Sequence, residues 1–296
     1  MAGYLLTIAI IVGIYMLLAL ALDLQYGFTG LINFGLVGFF GAGAYTSALL
    51  SVKAGWPPAA GMLAAMVVSG ILAWPLGRVA LRLKDDYLAI VTLGFSEIVR
   101  LVIVQEQWLT YGVQGIPGVP RMAAALNDVR ASEIALLGAL IVAVIGAVLI
   151  LRRITHSPYG RIIQAIRDDE VAVRALGKEP ARFKTQVLMI GGAIAGLAGA
   201  FYAHYMTYIT PDQFLPVVTF YIWMAIIMGG VARLSGALGG AVLLVFFLEG
   251  VRFLRGVIPG VSDTAMGSLQ LGIVGLVLIV FMRVRPQGLF GSKEAR

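Results

Sequence analysis

The chain has 296 residues, 60% of them hydrophobic and 12% charged, with a mean hydropathy of +0.93 and a formal net charge of +7. That much apolar surface exceeds what one water-soluble core can hide, so the expected class is an all-α, polytopic membrane bundle. The absence of cysteine excludes disulfides and thiolate metal sites, and the basic residues, parcelled between oily runs, point to a lipid bilayer rather than to nucleic acid.

Tyr4 to Leu22 is long enough to cross ~30 Å of hydrocarbon. Ala19-Leu20-Ala21 imitates a signal-peptidase site, but no basic residue precedes the run, so a retained first span is expected. Next comes GFTGLINFGLVGFFGAGAY, dense in glycine (Gly27, Gly30, Gly35, Gly38, Gly41, Gly43) and holding one amide, Asn33. Such glycines let helices approach closely, or they permit a broken or re-entrant helix whose freed amides face a polar ligand; both readings stand on the sequence. Ala59 to Gly77 is a further span, interrupted by Trp74-Pro75, and Arg78, Arg82 and Lys84 mark a cytoplasmic turn.

The following span opens at Asp86, a plausible N-cap, and carries Glu97 and Arg100, which share one helical face. Either charge facing lipid alone at mid-bilayer would cost about 2.5–3.5 kcal/mol. They therefore form a satisfied pair that locks this helix to its neighbours, or a polar wall of a permeation path. Residues 105–132 hold several Gly and Pro and no span, which predicts an ordered extracytoplasmic loop. Glu133 to Leu151 crosses back to a basic end at Arg152-Arg153.

Residues 157–184 form the one long charged segment, read here as a cytoplasmic lever. Ser157 can cap a helix with Pro158 at its first position, and Gly177 can close it in the left-handed conformation, about five turns later. Ile162, Ile166, Val173 and Leu176 fall on one side of that helix, and Arg161, Arg167, Asp168 and Arg174 occupy the rest. A half-apolar face of this kind fits a groove on a partner; a basic loop that only orients the spans is the plainer alternative.

Thr185 to Tyr205 returns across with a small-residue seam, Gly192-x-x-x-Gly196 and Gly196-x-x-x-Ala200. A short TPDQFLP loop leads to spans at Val217 to Val231, Gly236 to Leu254 and Ala265 to Met282, giving about nine hydrophobic segments in a single domain over residues 1–296. With this topology sixteen of the 22 Lys and Arg lie on the side of the lever and C-terminus, which are therefore expected in the cytoplasm, and five lie opposite. The side of the N-terminus depends on whether the glycine-rich segment crosses or dips. His156 and His204 stand alone and are expected to be structural. No GxxxxGK[ST], HExxH or GxSxG pattern occurs, so catalysis and a resident cofactor are not expected; a solute carrier driven by a partner or by an ion gradient is.

Several stretches together resemble the permeases of branched-chain amino-acid ABC importers, M-type: GFTGLINFGLVGFFGAGAY, DYLAIVTLGFSEIVRLV, LTYGVQGIPGVP, SPYGRIIQAIRDDEVAVRALG, GGAIAGLAGAFYAHY and MGGVARLSGALGGA. The resemblance covers most of the chain. It implies a bacterial inner-membrane permease that pairs with a second, homologous permease, two cytoplasmic ATP-binding subunits and a periplasmic substrate-binding protein. By the same resemblance, residues 170–177 match a loop that inserts in a cleft of the ATPase. Coupling roles are thus expected for Ile162, Ile166, Arg167, Asp169, Glu170, Val173 and Gly177. Asn33, Gly35, Gly38, Glu97 and Arg100 are expected along the translocation path. Exposed charges at Arg121, Arg130 and Asp212 are candidates for docking the binding protein. The family's usual TGGPNGI appears here as Thr110 to Ile116, with Tyr111, Val113 and Gln114 departing from it. An importer of urea or short amides shares these features, and an ion-coupled transporter would dispense with the ATPases.

Overall fold

A computed structural model of the chain describes residues 2–80, 85–123, 128–254 and 288–290, with positions 272, 275, 276, 279, 280 and 283. The expectations for Arg82, Lys84, most of the Ala265 to Met282 span and the last six residues lie outside these. Eleven helices are described, and seven are long and apolar enough to cross a membrane. They are α1 (Ala2–Gln25), α2 (Leu36–Lys53), α3 (Pro58–Ala80), α4 (Asp85–Gln105), α6 (Val129–Thr155), α9 (Pro180–Met206) and α10 (Val217–Gly229), the last counted with the 3-10 turn Pro211–Phe214 that leads into it. A further apolar helix, α11 (Leu234–Leu254), follows; α5 (Gln107–Thr110), α7 (Pro158–Asp168) and α8 (Glu170–Ala175) are short and lie between spans.

In a bilayer every backbone amide must find its partner within the protein, which is why apolar runs of this length are helical. α3 runs on through Pro75 rather than stopping at Trp74-Pro75, because a proline near the end of a spanning helix removes one backbone bond without ending the helix. The side chain of Asp86, expected as an N-cap, lies outside the described part of α4.

The bundle is built around α9, which packs against α1, α2 and α3. Its glycines make this possible. A Cβ on Gly43 of α2 would fall on the backbone of Gly196, and one on Gly199 would fall on the carbonyl of Phe40, so α2 and α9 touch backbone to backbone. Ser69 of α3 donates to the carbonyl of Phe39 and sits against Gly196, closing a tight α2–α3–α9 layer. The seam expected from the Gly-x-x-x-Gly spacing is the centre of the fold.

The chain shuttles between two faces. On one, the lever face, lie α7, α8 and the turn after α1. On the other, the loop face, residues 105–123 form α5, a 3-10 turn and a two-residue strand β1 (Ile116–Pro117), which pairs antiparallel with β2 (Tyr208–Ile209) at the end of α9. The Nδ1–H of His204 donates to the carbonyl of Pro120 at 2.7 Å, which leaves Nε2 to accept from the Ser47 hydroxyl at 2.8 Å. His204 is structural, as a lone histidine was expected to be. Lys53 closes the same face by donating to the carbonyls of Trp108 and Leu109. TPDQFLP is more than a connector: Phe214, 3% exposed, inserts between Phe40, Tyr45 and Tyr202.

Candidate functional site

The glycine-rich segment resolves into a helix break. After α1 the chain leaves helical geometry at Tyr26, turns at Gly30 with φ +75°, and runs through buried, non-helical backbone until α2 begins at Leu36. The freed amides face protein. The Phe34 N–H donates to Thr92 Oγ1 of α4 at 3.0 Å, and the Val37 N–H to Thr219 Oγ1 of α10 at 3.1 Å. Asn33 is the latch: its Nδ2 donates to Gln25 Oε1 at 2.8 Å, its Oδ1 accepts from the Gly35 N–H at 2.7 Å, and its carbonyl accepts from the Trp223 indole at 3.1 Å. The segment is therefore a broken helix whose polar groups are spent within the bundle.

This places three expected path residues away from open space. Asn33 is 1% exposed. A Cβ on Gly35 would meet the Thr92 carbonyl and one on Gly38 the Ser96 backbone, so both glycines serve the approach of α2 to α4. Glu97 and Arg100 differ. They pair through Oε2, with Nη2 at 2.8 Å and Nε at 2.9 Å, and their side chains keep 33% and 24% of their surface exposed on the flank of α4. The pair satisfies itself and remains reachable from outside the chain.

The lever begins and ends as its sequence predicts. Ser157 Oγ accepts from the Gly160 N–H, Pro158 occupies the first position, and Gly177 adopts φ +75°. The Gly177 N–H donates to the Arg174 carbonyl and the Lys178 N–H to that of Val173, the paired bonds of a left-handed helix closure. Between the ends the expected single helix is two. Asp169, at φ −157° and ψ 98°, leaves helical geometry, and its Oδ1 accepts from the N–H groups of Val171 and Ala172, both at 2.9 Å. A short acidic side chain that can cap competes with the backbone for helix bonds, so the helix restarts there as α8.

The break redistributes the apolar face. Ile163, Ile166 and Val173 are buried within the chain and Ile162 half-buried, whereas Val171 and Leu176 are 75% and 80% exposed. Ile166 and Val173, expected at a partner's groove, are 3% and 5% exposed in this chain, and Ile163 joins the core of the bundle. Arg167 ties the lever to the turn after α1: its Nη1 donates to the Gly27 carbonyl at 2.9 Å, its stem packs on Gly30, and Asp168 holds its other edge. Glu170 pairs with Arg174 and, at 2.6 Å, with Lys184 of α9. Partial burial raises the Glu170 pKa, but the two cations outweigh that and leave it below the ordinary glutamate value. Tyr159 of α7 packs its ring, tilted by 46°, against Phe183 of α9, and burial pushes its hydroxyl up to about 12. Asp169 and Gly177 remain exposed.

Sequence reasoning passed over Asp23, the acid that ends the first apolar run. It is fully buried, and its Oδ1 accepts from the Ala232 N–H in the α10–α11 turn at 2.8 Å. The adjoining turn, Tyr26 to Gly30, is the one Arg167 grips. The lever, the end of α1 and the α10–α11 turn thus meet at one point. The C-terminal stretch joins them, since the Leu289 and Phe290 N–H groups donate to the carbonyls of Met228 and Gly229, and Arg233 to that of Phe290. On the loop face Arg130 and Asp212 are exposed as expected, but Arg121 folds inward beside Ser132, Glu133 and His204, with Nη1 buried.

Residues 4–282 match the family described as branched-chain amino acid transport system / permease component. The chain is 31% identical to the high-affinity branched-chain amino acid transport system permease protein LivM of Escherichia coli, over 95% of this chain and 69% of that one. It is 25% identical to a probable branched-chain amino acid transport permease protein LivM of Methanocaldococcus jannaschii, over 95% of this chain and 91% of that one. Identity to the Escherichia coli permease protein LivH is also 25%, over 95% of this chain and 92% of that one. No solved structure matches. A lever stapled to a helical membrane bundle, a family match over almost the entire length and a LivM relative above 30% identity lead to one conclusion: the chain belongs to the branched-chain amino acid transport permease family and is LivM-like.

Proposed function

We propose that this chain is the LivM-type membrane subunit of an ATP-driven importer for branched-chain or other hydrophobic amino acids. It works with a second, homologous permease, two ATP-binding subunits on the lever face and a binding protein on the loop face. The lever and C-terminus lie in the cytoplasm of a bacterial cell and the bundle spans its inner membrane. The excess of Lys and Arg on the lever face supports this orientation.

One observation carries the reading: the lever is fixed to the turn after α1 and to α9 yet holds out an apolar tip, Val171 and Leu176, beside the exposed Asp169 and Gly177. A segment that only oriented the spans would need neither the clamps nor the tip. Closure of the ATPases on nucleotide would push that tip, and Arg167, Lys184 and the packed Ile166 and Val173 would pass the movement to α1 and α9 as a rigid body. The Glu97–Arg100 flank of α4 would meet the companion permease beside the path, since a half-open ion pair in a membrane demands a protein or aqueous neighbour. Arg130 and Asp212 would meet the binding protein.

Reconstitution into liposomes tests this reading. The chain together with the companion permease, the ATPases and the binding protein is expected to take up leucine on addition of ATP, with none entering when ATP is withheld. Uptake by the purified chain alone, driven by an ion gradient, would refute the proposal. Uptake of urea in place of leucine by the full assembly would move the substrate to the short-amide class.

A further inference from the structure

Where α3 and α9 part at the lever face, they leave a cleft of about 730 Å³ that the transport reading does not use. Gly77 and Thr185 form part of its wall, where the two helices touch: a Cβ on Gly77 would press on the Thr185 side chain. Two guanidinium groups line the cleft, Arg78 from the end of α3 and Arg182 from the first turns of α9. Both residues are exposed, and among the described residues no carboxylate lies within ion-pair distance of either. Glu179 also lines the cleft, so among the described residues its lining carries two positive charges against one negative. Arg78 lies over the ring of Trp74, 4.5 Å from its centroid, which fixes the guanidinium at the rim.

The surface leading away from this cleft is apolar. Val67, Ile71 and Trp74 follow one another at helical spacing on the outer side of α3, all well exposed, and Arg78 continues the same stripe one turn further. From Val67 to Arg78 is about 16 Å of helix at 1.5 Å per residue, close to half the ~30 Å hydrocarbon layer. An interfacial tryptophan, two arginines at the membrane boundary and an apolar strip one leaflet long together match an amphiphile with an anionic head.

We propose that this cleft binds an anionic phospholipid of the leaflet on the lever face. Arg78 and Arg182 hold the phosphate, and an acyl chain lies along Ile71 and Val67. The site abuts the start of α9, so an occupied cleft would brace the helix to which Lys184 and Glu170 clamp the lever.

Native mass spectrometry of the full chain, released from micelles doped with equal amounts of phosphatidylglycerol and phosphatidylcholine, tests this directly. Retention of phosphatidylglycerol about tenfold above phosphatidylcholine is expected, falling to parity in an Arg78→Gln/Arg182→Gln variant whose helical content and melting temperature are unchanged. Equal retention of both lipids by the wild type would overturn the proposal without any variant, so it stays falsifiable if the double variant misfolds. Inorganic phosphate that displaced the lipid at millimolar concentration would also overturn it, by showing an anion site indifferent to the acyl chains. Loss of assembly with the partner subunits in the double variant, together with equal lipid retention by the wild type, would assign the cleft to a protein partner instead.

Discussion

Asn33 shows how a polar side chain in a membrane segment can serve the backbone. It supports ten residues of non-helical chain by binding Gln25 on one side and the Gly35 N–H on the other, with no contact to water. Leucine at this position keeps the volume but orphans both partners, and each orphaned buried group costs about 1–3 kcal/mol. Asn33→Leu is accordingly expected to lower stability by about 2–4 kcal/mol, read as a lower melting temperature in detergent. Glu170 makes the opposite use of charge. Its folded-state pKa lies below the ordinary value of 4.5, so its stabilising contribution is complete above that value and is lost as pH falls through the lowered one. Amide exchange of α8, corrected for intrinsic rates, should therefore stay constant from neutral pH down to the ordinary glutamate range and rise below it. Glu170→Gln should remove that pH dependence and leave α8 faster-exchanging throughout. Tyr111 marks a further tension: it takes φ +62° where the family pattern has glycine, with Lys53 4.9 Å above its ring.

Among the elements, what could be read from sequence was local and what could not was distant. Ser157, Pro158 and Gly177 announce the ends of the lever because a cap acts on amides within three residues. Asp169 carries the same kind of signal, an acid opening the Glu170 turn, but the apolar spacing from Ile162 to Leu176 runs across it and implies one helix. The glycines of α9 likewise foretell a seam, though only the fold shows that Gly43 and Phe40 are its partners. Nothing near Phe214 in sequence indicates that it enters a cage of Phe40, Tyr45 and Tyr202, and nothing near Asn33 indicates that Thr92 and Thr219 take up the amides around it. Space decides what a glycine can become. Gly196→Val should drive side-chain atoms into Ser69 and the Ala65 carbonyl, costing about 3 kcal/mol, whereas Gly138→Ala on α6 meets nothing within 4 Å and should be neutral or slightly stabilising. Comparing the two melting temperatures separates seam from surface.

At the scale of the molecule, the described structure joins three chain segments on the lever face: the end of α1 through Asp23 and Gly27, the α10–α11 turn through Ala232, and α7–α8 through Arg167. The α9 helix carries that junction through the bundle to the β1–β2 pair and the His204 anchor on the loop face. A displacement of the lever therefore has a stiff route across the chain, through backbone contacts that glycine makes and larger residues would prevent. The central claim is that Val171 and Leu176 receive force from a nucleotide-hydrolysing partner, while the buried Ile166 and Val173 only hold the receiver in place. The most direct test is ATP turnover by the assembled importer, with and without loaded binding protein, in a Val171→Asp/Leu176→Asp variant. Its two changes are fully on the surface, so the bundle should fold and melt as the wild type does. The account predicts loss of substrate-stimulated turnover and of uptake; stimulation and uptake at wild-type rates would contradict it.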